Sequence, residues 1–351
     1  MEPPGPRATA PKVAIVVIGR NEGERLGRSL AAALRLGRPV VYVDSGSTDG
    51  SPELAGRMGV EVVELDPGSP FTAGRARNEG FKRVAALYPA VELMQFVDGD
   101  CELVEGWMER GVREMNADRR RGAVCGRVRE VDREGSIYNR LCDMEWDVPP
   151  GEALACGGNS MMRAVALSAS GGFDPRLIAG EEPELCLRLR GAGWKVFRVD
   201  ADMVLHDAAM TRFAQWWRRT VRGGWAFAEG AALHGRTSER HWVRENRSAL
   251  FWGTLVPATA LILAVPSRGA SLMLLAAYPL LGLRIYLRSS RRGLAPRDAR
   301  LLAFFTVLGK FPEGIGRTQY ALLRALGRER KVVDWRGPST GAGAATPGED
   351  D

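Results

Sequence analysis

Four short apolar runs, separated by stretches with helical spacing, limit what the N-terminal half can fold into. Val13-Ala14-Ile15-Val16-Val17-Ile18 is continuous and largely β-branched, the pattern of a strand buried on both faces. Pro39 to Asp44 reads as a second buried strand, Val60 to Leu65 as a third strand and Leu93 to Val97 as a fourth. Between them lie Leu26, Leu30, Ala33 and Leu34 at helical spacing, then helix-like segments at Pro52 to Met58 and Gly74 to Leu87. Such alternation predicts an α/β fold, a doubly wound and mostly parallel sheet. Ligands in such sheets bind beyond the carboxyl ends of the strands. Asp44 and Asp98 stand at two of those ends.

The fourth run leads into Asp98-Gly99-Asp100. Residues two apart on a strand point the same way, so both carboxylates are placed to face one cation. Glycine between them lets the backbone approach a bulky ligand. Read alone the tripeptide is more simply a turn. As a ligand set, carboxylates with phosphate oxygens suit Mg²⁺ or Mn²⁺.

The balance of charge is 49 − 42 = +7, which suits phosphate-bearing ligands or an anionic membrane surface. Basic residues are not interleaved with aromatics in a recognisable nucleic-acid module, so nucleic acid is not an expected partner. Five cysteines, Cys101, Cys125, Cys142, Cys156 and Cys186, are odd in number and have no close spacing. That argues against a disulfide framework or a zinc site and fits a reducing compartment.

Residues 1–11 are proline-rich without an apolar core and read as a disordered lead-in, not a signal peptide. Residues 12–245 read as one α/β domain. Gly122 to Glu130 resembles a strand, and Trp194 to Val199 reads as a last short strand followed by His206. Composition then changes. Ala249 to Val265 and Ala270 to Leu283 carry no charge, and Pro257 and Pro279 interrupt them. Each is at or below the length that spans a bilayer, so residues 246–330 are expected to be membrane-associated helices. Arginines on both flanks predict a hairpin with both ends cytoplasmic. Leu301 to Leu308 and Ile315 to Leu326 are amphipathic and basic, a pattern of surface binding. Residues 331–351 read as a disordered tail.

Five features fall in order along the chain. They are Asn21-Glu22 after the first run, Asp44 after the second, Arg77-Asn78 opening a helix, Asp98-Gly99-Asp100, and Gly180-Glu181-Glu182-Pro183-Glu184-Leu185-Cys186-Leu187-Arg188. In this order and spacing the chain resembles a family-two glycosyltransferase of the GT-A fold, from about Val13 to Leu233. The resemblance implies inverting transfer of a sugar from a nucleotide-diphosphate sugar to an acceptor hydroxyl. It places Asn21, Glu22, Asp44, Arg77, Asn78 and Asp98 at the donor. Asp100, with Asp98 and a third ligand at His206, would hold the divalent metal, Mn²⁺ or Mg²⁺. Glu182 stands where the family has its catalytic base, an aspartate. Glutamate there lengthens the side chain by one carbon and keeps Glu181 in contention. Trp146, Gly158 and Asn159 lie where acceptor and donor sugar are expected.

The resemblance further implies cell-envelope, polysaccharide or glycolipid biosynthesis at the cytoplasmic membrane. The acceptor would be a sugar, a glycolipid or a lipid carrier. Two rivals stay open, a nucleotidyltransferase and a non-catalytic GT-A-like nucleotide-binding protein. Gln215-Trp216-Trp217-Arg218-Arg219 departs from the Gln-x-x-Arg-Trp motif of processive synthases at Arg219, so processive polymerisation is not expected.

Overall fold

The computed structural model describes residues 12–328. The expected disordered lead-in at 1–11 and tail at 331–351 lie outside the described residues. Among those described, nine strands form one mixed sheet. Its first half is the parallel, helix-alternating unit expected: β1 (Val13–Gly19), α1 (Glu24–Leu34), β2 (Val40–Asp44), α2 (Ser51–Arg57), β3 (Glu61–Glu64), α3 (Ala73–Leu87) and β4 (Leu93–Asp98). The strand order β3-β2-β1-β4 reverses direction of growth at β1, leaving the crevice where ligands bind. β1 and β2 are buried along nearly their whole length because helices cover both faces, which explains their unbroken apolar runs.

Beyond β4 the sheet turns mixed. β5 (Cys101–Leu103), α4 (Trp107–Ala117), β6 (Arg121–Glu130), α5 (Ile137–Trp146), β7 (Gly151–Glu152), β8 (Ser160–Arg163), α6 (Ala164–Ala169), α7 (Glu181–Gly191) and β9 (Lys195–His206) follow. β8 lies antiparallel between β4 and β6, while β9 runs parallel to β6 and antiparallel to β5. One expectation is corrected here. The last strand is not short, since it continues to His206, while the segment before Pro150 is regular helix as far as Trp146. Register shifts between Cys125 and Val128 let β9 keep pairing with β6 through the polar stretch Asp200-Ala201-Asp202. The helix α5 starts at a Ser136 cap whose hydroxyl accepts from the Tyr138 and Asn139 amides.

Register sets the site. Gly19 pairs with Asp44 and Ile18 with Asp98, so the ends of β1, β2 and β4 are level. His206 pairs with Cys101 on one side and Glu130 on the other.

The C-terminal part is helical: α8 (Phe213–His234), α9 (Val243–Leu250), a π-turn at Phe251–Leu255, α10 (Val256–Ile262), a 3₁₀ segment at Ala270–Ala276, α11 (Ala277–Arg291), α12 (Pro296–Leu308) and α13 (Lys310–Ala325). α13 packs on α8 at glycines. A Cβ on Gly224 would lie 2.1 Å from the Glu313 carbonyl oxygen, and one on Gly316 would lie 1.9 Å from that of Val221. Only glycine permits this backbone approach. The helical stretch Ala270–Arg291 is long and apolar enough to cross a membrane.

Candidate active site

The crevice over β1, β2 and β4 is built from short-range ties. Asp44 is buried and accepts from the Tyr42 hydroxyl and from the Ser47 amide, both at 2.7 Å. Burial and Asp44 push the Tyr42 phenol well up, so it stays a donor. Asn21 adopts a positive φ of 54°. Its side-chain oxygen accepts from the Thr48 amide at 2.7 Å, and its own amide donates to Ser47 Oγ at 2.9 Å. Asn21 therefore fastens the loop after β1 to the loop after β2. Glu22, 8% exposed, pairs with Arg25 at 2.9 Å. A Cβ on Gly99 would lie 3.1 Å from both Glu22 Cγ and the Ile18 carbonyl oxygen, which accounts for glycine between the two aspartates.

Arg77 is the hub. It is 2% exposed, donates from Nη2 to Asp98 Oδ1 at 2.8 Å and from Nη1 to Glu181 Oε1 at 2.6 Å, and lies over the Phe173 ring. Gly158 lies against this pair, since a Cβ there would be 2.5 Å from Asp98 Oδ2 and 2.6 Å from Arg77 Nη2. Asn159 is buried and its side-chain oxygen accepts from the Asp98 amide at 2.9 Å. Asn78 is occupied otherwise. Its amide group donates to the Phe173 carbonyl and accepts from the Phe173 amide, which holds the turn after Gly172. Burial raises the Asp98 carboxyl against the pull of Arg77, with Asp100 adding to the rise.

Asp100 and His206 form the second cluster. Asp100 is 3% exposed, and its Oδ2 lies 3.4 Å from His206 Nε2. His206 Nδ1 is 2.8 Å from Glu130 Oε2, and the other Glu130 oxygen accepts from the Ala208 amide at 2.9 Å. Trp146 meets the imidazole edge-on with ring centroids 4.5 Å apart. Burial works against the imidazolium, but Asp100 and Glu130 outweigh it and hold His206 up at about 9. The donor set fits a hard divalent cation. With Nδ1 tied to Glu130, Nε2 faces Asp100 with its lone pair once the proton is displaced. The ligand atoms of Asp100, Cys101 and His206 lie within 4.8 Å of one another. Burial and the two aspartates keep the Cys101 thiol far above its usual range, so carboxylate and imidazole are the donors offered to a divalent cation.

At the start of α7 three acids divide. Glu184 is held by Arg188 at 2.7 and 2.8 Å and by His234 at 2.9 Å. Burial opposes the charge on Glu181, but Arg77 and Arg222 prevail and lower its pKa. Glu182 is 2% exposed. Its Oε1 accepts from the Cys156 amide at 2.6 Å and the Cys186 thiol at 2.8 Å, while Oε2 is buried with no hydrogen-bond partner among the described residues. Burial raises the Glu182 carboxyl. Cysteines far apart in sequence thus converge here, for Cys156 also lies against the thiols of Cys125 and Cys186. The described cysteines are all unpaired in disulfides.

Sequence reasoning missed Glu130 and the cysteine surroundings of Glu182. Glu130 carried a signal of the same kind as Asp44 and Asp98, a carboxylate closing a strand. Arg219, singled out in the departing motif, pairs with Glu145 at 2.8 Å.

Residues 14–167 match the family described as glycosyl transferase family 2. A segment of 115 residues is 30% identical to the glycosyltransferase AglE of Haloferax volcanii, which is 30% of this chain and 36% of that protein. The chain thus spans about a third of this curated relative. Among solved structures, the fold is similar to the mannosyltransferase PcManGT from Pyrobaculum calidifontis in complex with GDP-Man and Mn²⁺. The TM-score is 0.59 at 18% identity, over 87% of each chain. That likeness shows the GT-A fold.

Proposed function

We propose, from the premise that residues 14–167 form a glycosyl transferase family 2 domain, that this protein is an inverting, metal-dependent glycosyltransferase using a nucleotide-diphosphate sugar. The observation that carries the reading is the bridge made by Arg77, which ties Asp98 beside the donor crevice to Glu181 at the head of the base-bearing helix. One buried guanidinium thereby fixes the distance between donor and base, and such orientation accounts for much of the barrier lowering in a two-substrate reaction.

Asp44, Glu22 and the loop pinned by Asn21 would receive the nucleoside, carboxylates accepting from ribose hydroxyls or a base N–H. Asp100 and His206, with Asp98 beside them, would hold Mn²⁺ or Mg²⁺, whose chemistry there is to neutralise charge on the departing diphosphate. Glu182 Oε2 takes the proton of the acceptor hydroxyl as that oxygen bonds to the anomeric carbon. The bond from that carbon to the diphosphate breaks on the opposite face, and its electron pair leaves with the nucleotide. Glu181, neutralised by Arg77, is less suited to this role. Gly158 and Trp146 would lie beside the donor and acceptor sugars.

The acceptor is proposed to be carried at the cytoplasmic membrane, on a lipid or glycolipid. The exposed apolar side chains of residues 255–287 support that placement. A panel of UDP-, GDP- and dTDP-sugars with Mn²⁺, GDP-mannose included, tests the reading. Metal-dependent release of nucleoside diphosphate is expected, abolished in Asp100→Asn. Pyrophosphate turnover would instead indicate a nucleotidyltransferase, and binding without turnover a non-catalytic nucleotide-binding protein.

A further inference from the structure

The two uncharged runs after Asn246 form the legs of a hairpin. One leg is the π-turn with α10, the other the 3₁₀ segment with the start of α11, and residues 263–269 make the tip. The legs are joined near the base by the Tyr278 hydroxyl, which donates to the Trp252 carbonyl. They are joined again near the tip, where Ser271 Oγ donates to the Ala260 carbonyl at 2.7 Å. The outer surface is apolar and open. Val265 is 87% exposed and Met273 78%, with Leu261, Ile262, Leu280 and Leu283 also exposed.

The tip has the property lipid demands, because backbone polar groups in hydrocarbon must be satisfied from within. The Gly269 amide donates to the Ala264 carbonyl at 2.7 Å and the Ser267 amide to the Leu263 carbonyl at 3.0 Å. Ser267 Oγ donates to that same Leu263 carbonyl at 2.5 Å and accepts from the Ser271 amide at 3.0 Å. Ser267 of the tip and Ser271 just beyond it are thus spent on the chain itself.

The legs are too short to cross. Phe251 to Val265 rises roughly 22 Å at about 1.5 Å per residue. Ala270 to Leu283 rises roughly 25 Å with its first half in 3₁₀ form. A bilayer core is about 30 Å thick. Lengthening the second leg to the full stretch Ala270–Arg291 would carry Arg284 and Arg288 into hydrocarbon. Those arginines have a better place. On α11 the row Leu280, Leu283 and Leu287 runs beside Arg284, Arg288 and Arg291, apolar toward the tip and cationic toward the base. Arg268, alone at the tip, can extend toward the far headgroups as long cationic side chains do.

We infer that residues 251–283 enter the bilayer as a re-entrant hairpin that returns to the side it came from, with the α11 arginines binding phosphates of anionic lipid. This rests on the membrane placement proposed above and is independent of the chemistry, since lipid binding is read without turnover. The full chain should float with vesicles of phosphatidylcholine and phosphatidylglycerol and far less with phosphatidylcholine alone. Arg284→Gln with Arg288→Gln should weaken anionic-vesicle binding by at least about tenfold, each arginine near the surface contributing several-fold.

Depth is read with Val265→Cys, an exposed site in a protein whose own cysteines are buried. Reconstituted into sealed vesicles, the new thiol should resist impermeant maleimide supplied outside or trapped inside, and react fully once detergent is added. Labelling from inside the vesicle would show that the hairpin crosses. Full-rate labelling from outside would show that it stays in water. A dimer that does not float would assign the apolar surface to a second copy of the chain. Each of these three results overturns the proposal.

Discussion

Glu130 Oε2 lies 2.8 Å from His206 Nδ1, so the imidazole presents its other nitrogen to Asp100. Neighbouring parallel strands end at these two residues, and their register pairs them directly.

Glu130→Gln should therefore weaken Mn²⁺ binding by roughly 10- to 100-fold, the usual effect of losing a carboxylate behind a ligating histidine. Electron paramagnetic resonance of free Mn²⁺ measures it without substrate. Unchanged affinity would remove Glu130 from the metal's support and, with it, the reason to favour Nε2 as a ligand.

Glu182→Gln should cut transfer by at least about 100-fold, the range for a lost general base, while donor affinity stays within about twofold. Because burial raises its carboxyl, the acid limb of kcat/KM should fall above the ordinary glutamate value of 4.5. The sign for stability is opposite to that of a salt-bridged acid. A folded-state pKa above the unfolded one means that stability is lost as pH rises from 4.5 through the raised value. Glu182→Gln should remove that loss, visible as a flatter Tm against pH. Retained activity would pass the base role to Glu181.

Arg77→Met strands two carboxylates. Removing one partner of a buried ionic group costs about 3–5 kcal/mol, so Tm should fall markedly at neutral pH. In the parent, the lowered pKa of Glu181 gives stability that is present above its ordinary 4.5 and is lost as pH falls through the depressed value. The variant has none of this to lose, so the two stability curves should converge in acid. A deficit constant from neutral to acid pH would mean that packing over Phe173, and not charge, is the role of Arg77.

Gly158→Ala tests the close approach to Asp98. Its methyl group would sit 2.5 Å from Asp98 Oδ2, forcing the carboxylate to move. A displacement of this order should reduce turnover by roughly 100-fold, and because the same methyl would sit 2.6 Å from the buried Arg77 Nη2, Tm should fall as well. Normal turnover would show that Asp98 tolerates other positions.

The first half of the sheet was legible because β1 and β2 are buried along their length and so read as unbroken apolar runs, while the edge strand β3 still shows Val62 and Val63 between its glutamates. Asp44, Asp98 and Asp100 could be picked out because they interrupt such runs at the ends. His206 was picked out by resemblance, but its strand was cut short at Val199, since Asp200-Ala201-Asp202 breaks the pattern and pairing is kept only by bulges in β9. Glu130 ends a strand reading Arg127-Val128-Arg129, polar enough to pass for surface. Its partner lies 76 residues away. The amides were the least legible. Asn78 and Asn159 both look like ligand-binding groups, yet their oxygens accept from the Phe173 and Asp98 backbone amides, contacts that no local pattern announces.

The glycine crossing of α8 and α13 has a mechanical side. Backbone touches backbone there, and Gly253 at the foot of the hairpin meets Gly314 in the same way. At these contact points no side chain stands between the hairpin proposed to enter lipid, α13 and the helix that follows His206. Such a joint has little slack, so the catalytic crevice should ride at a set height and tilt above the bilayer. An acceptor would then be selected by how far its hydroxyl stands off the membrane, a criterion of reach that the crevice itself does not impose.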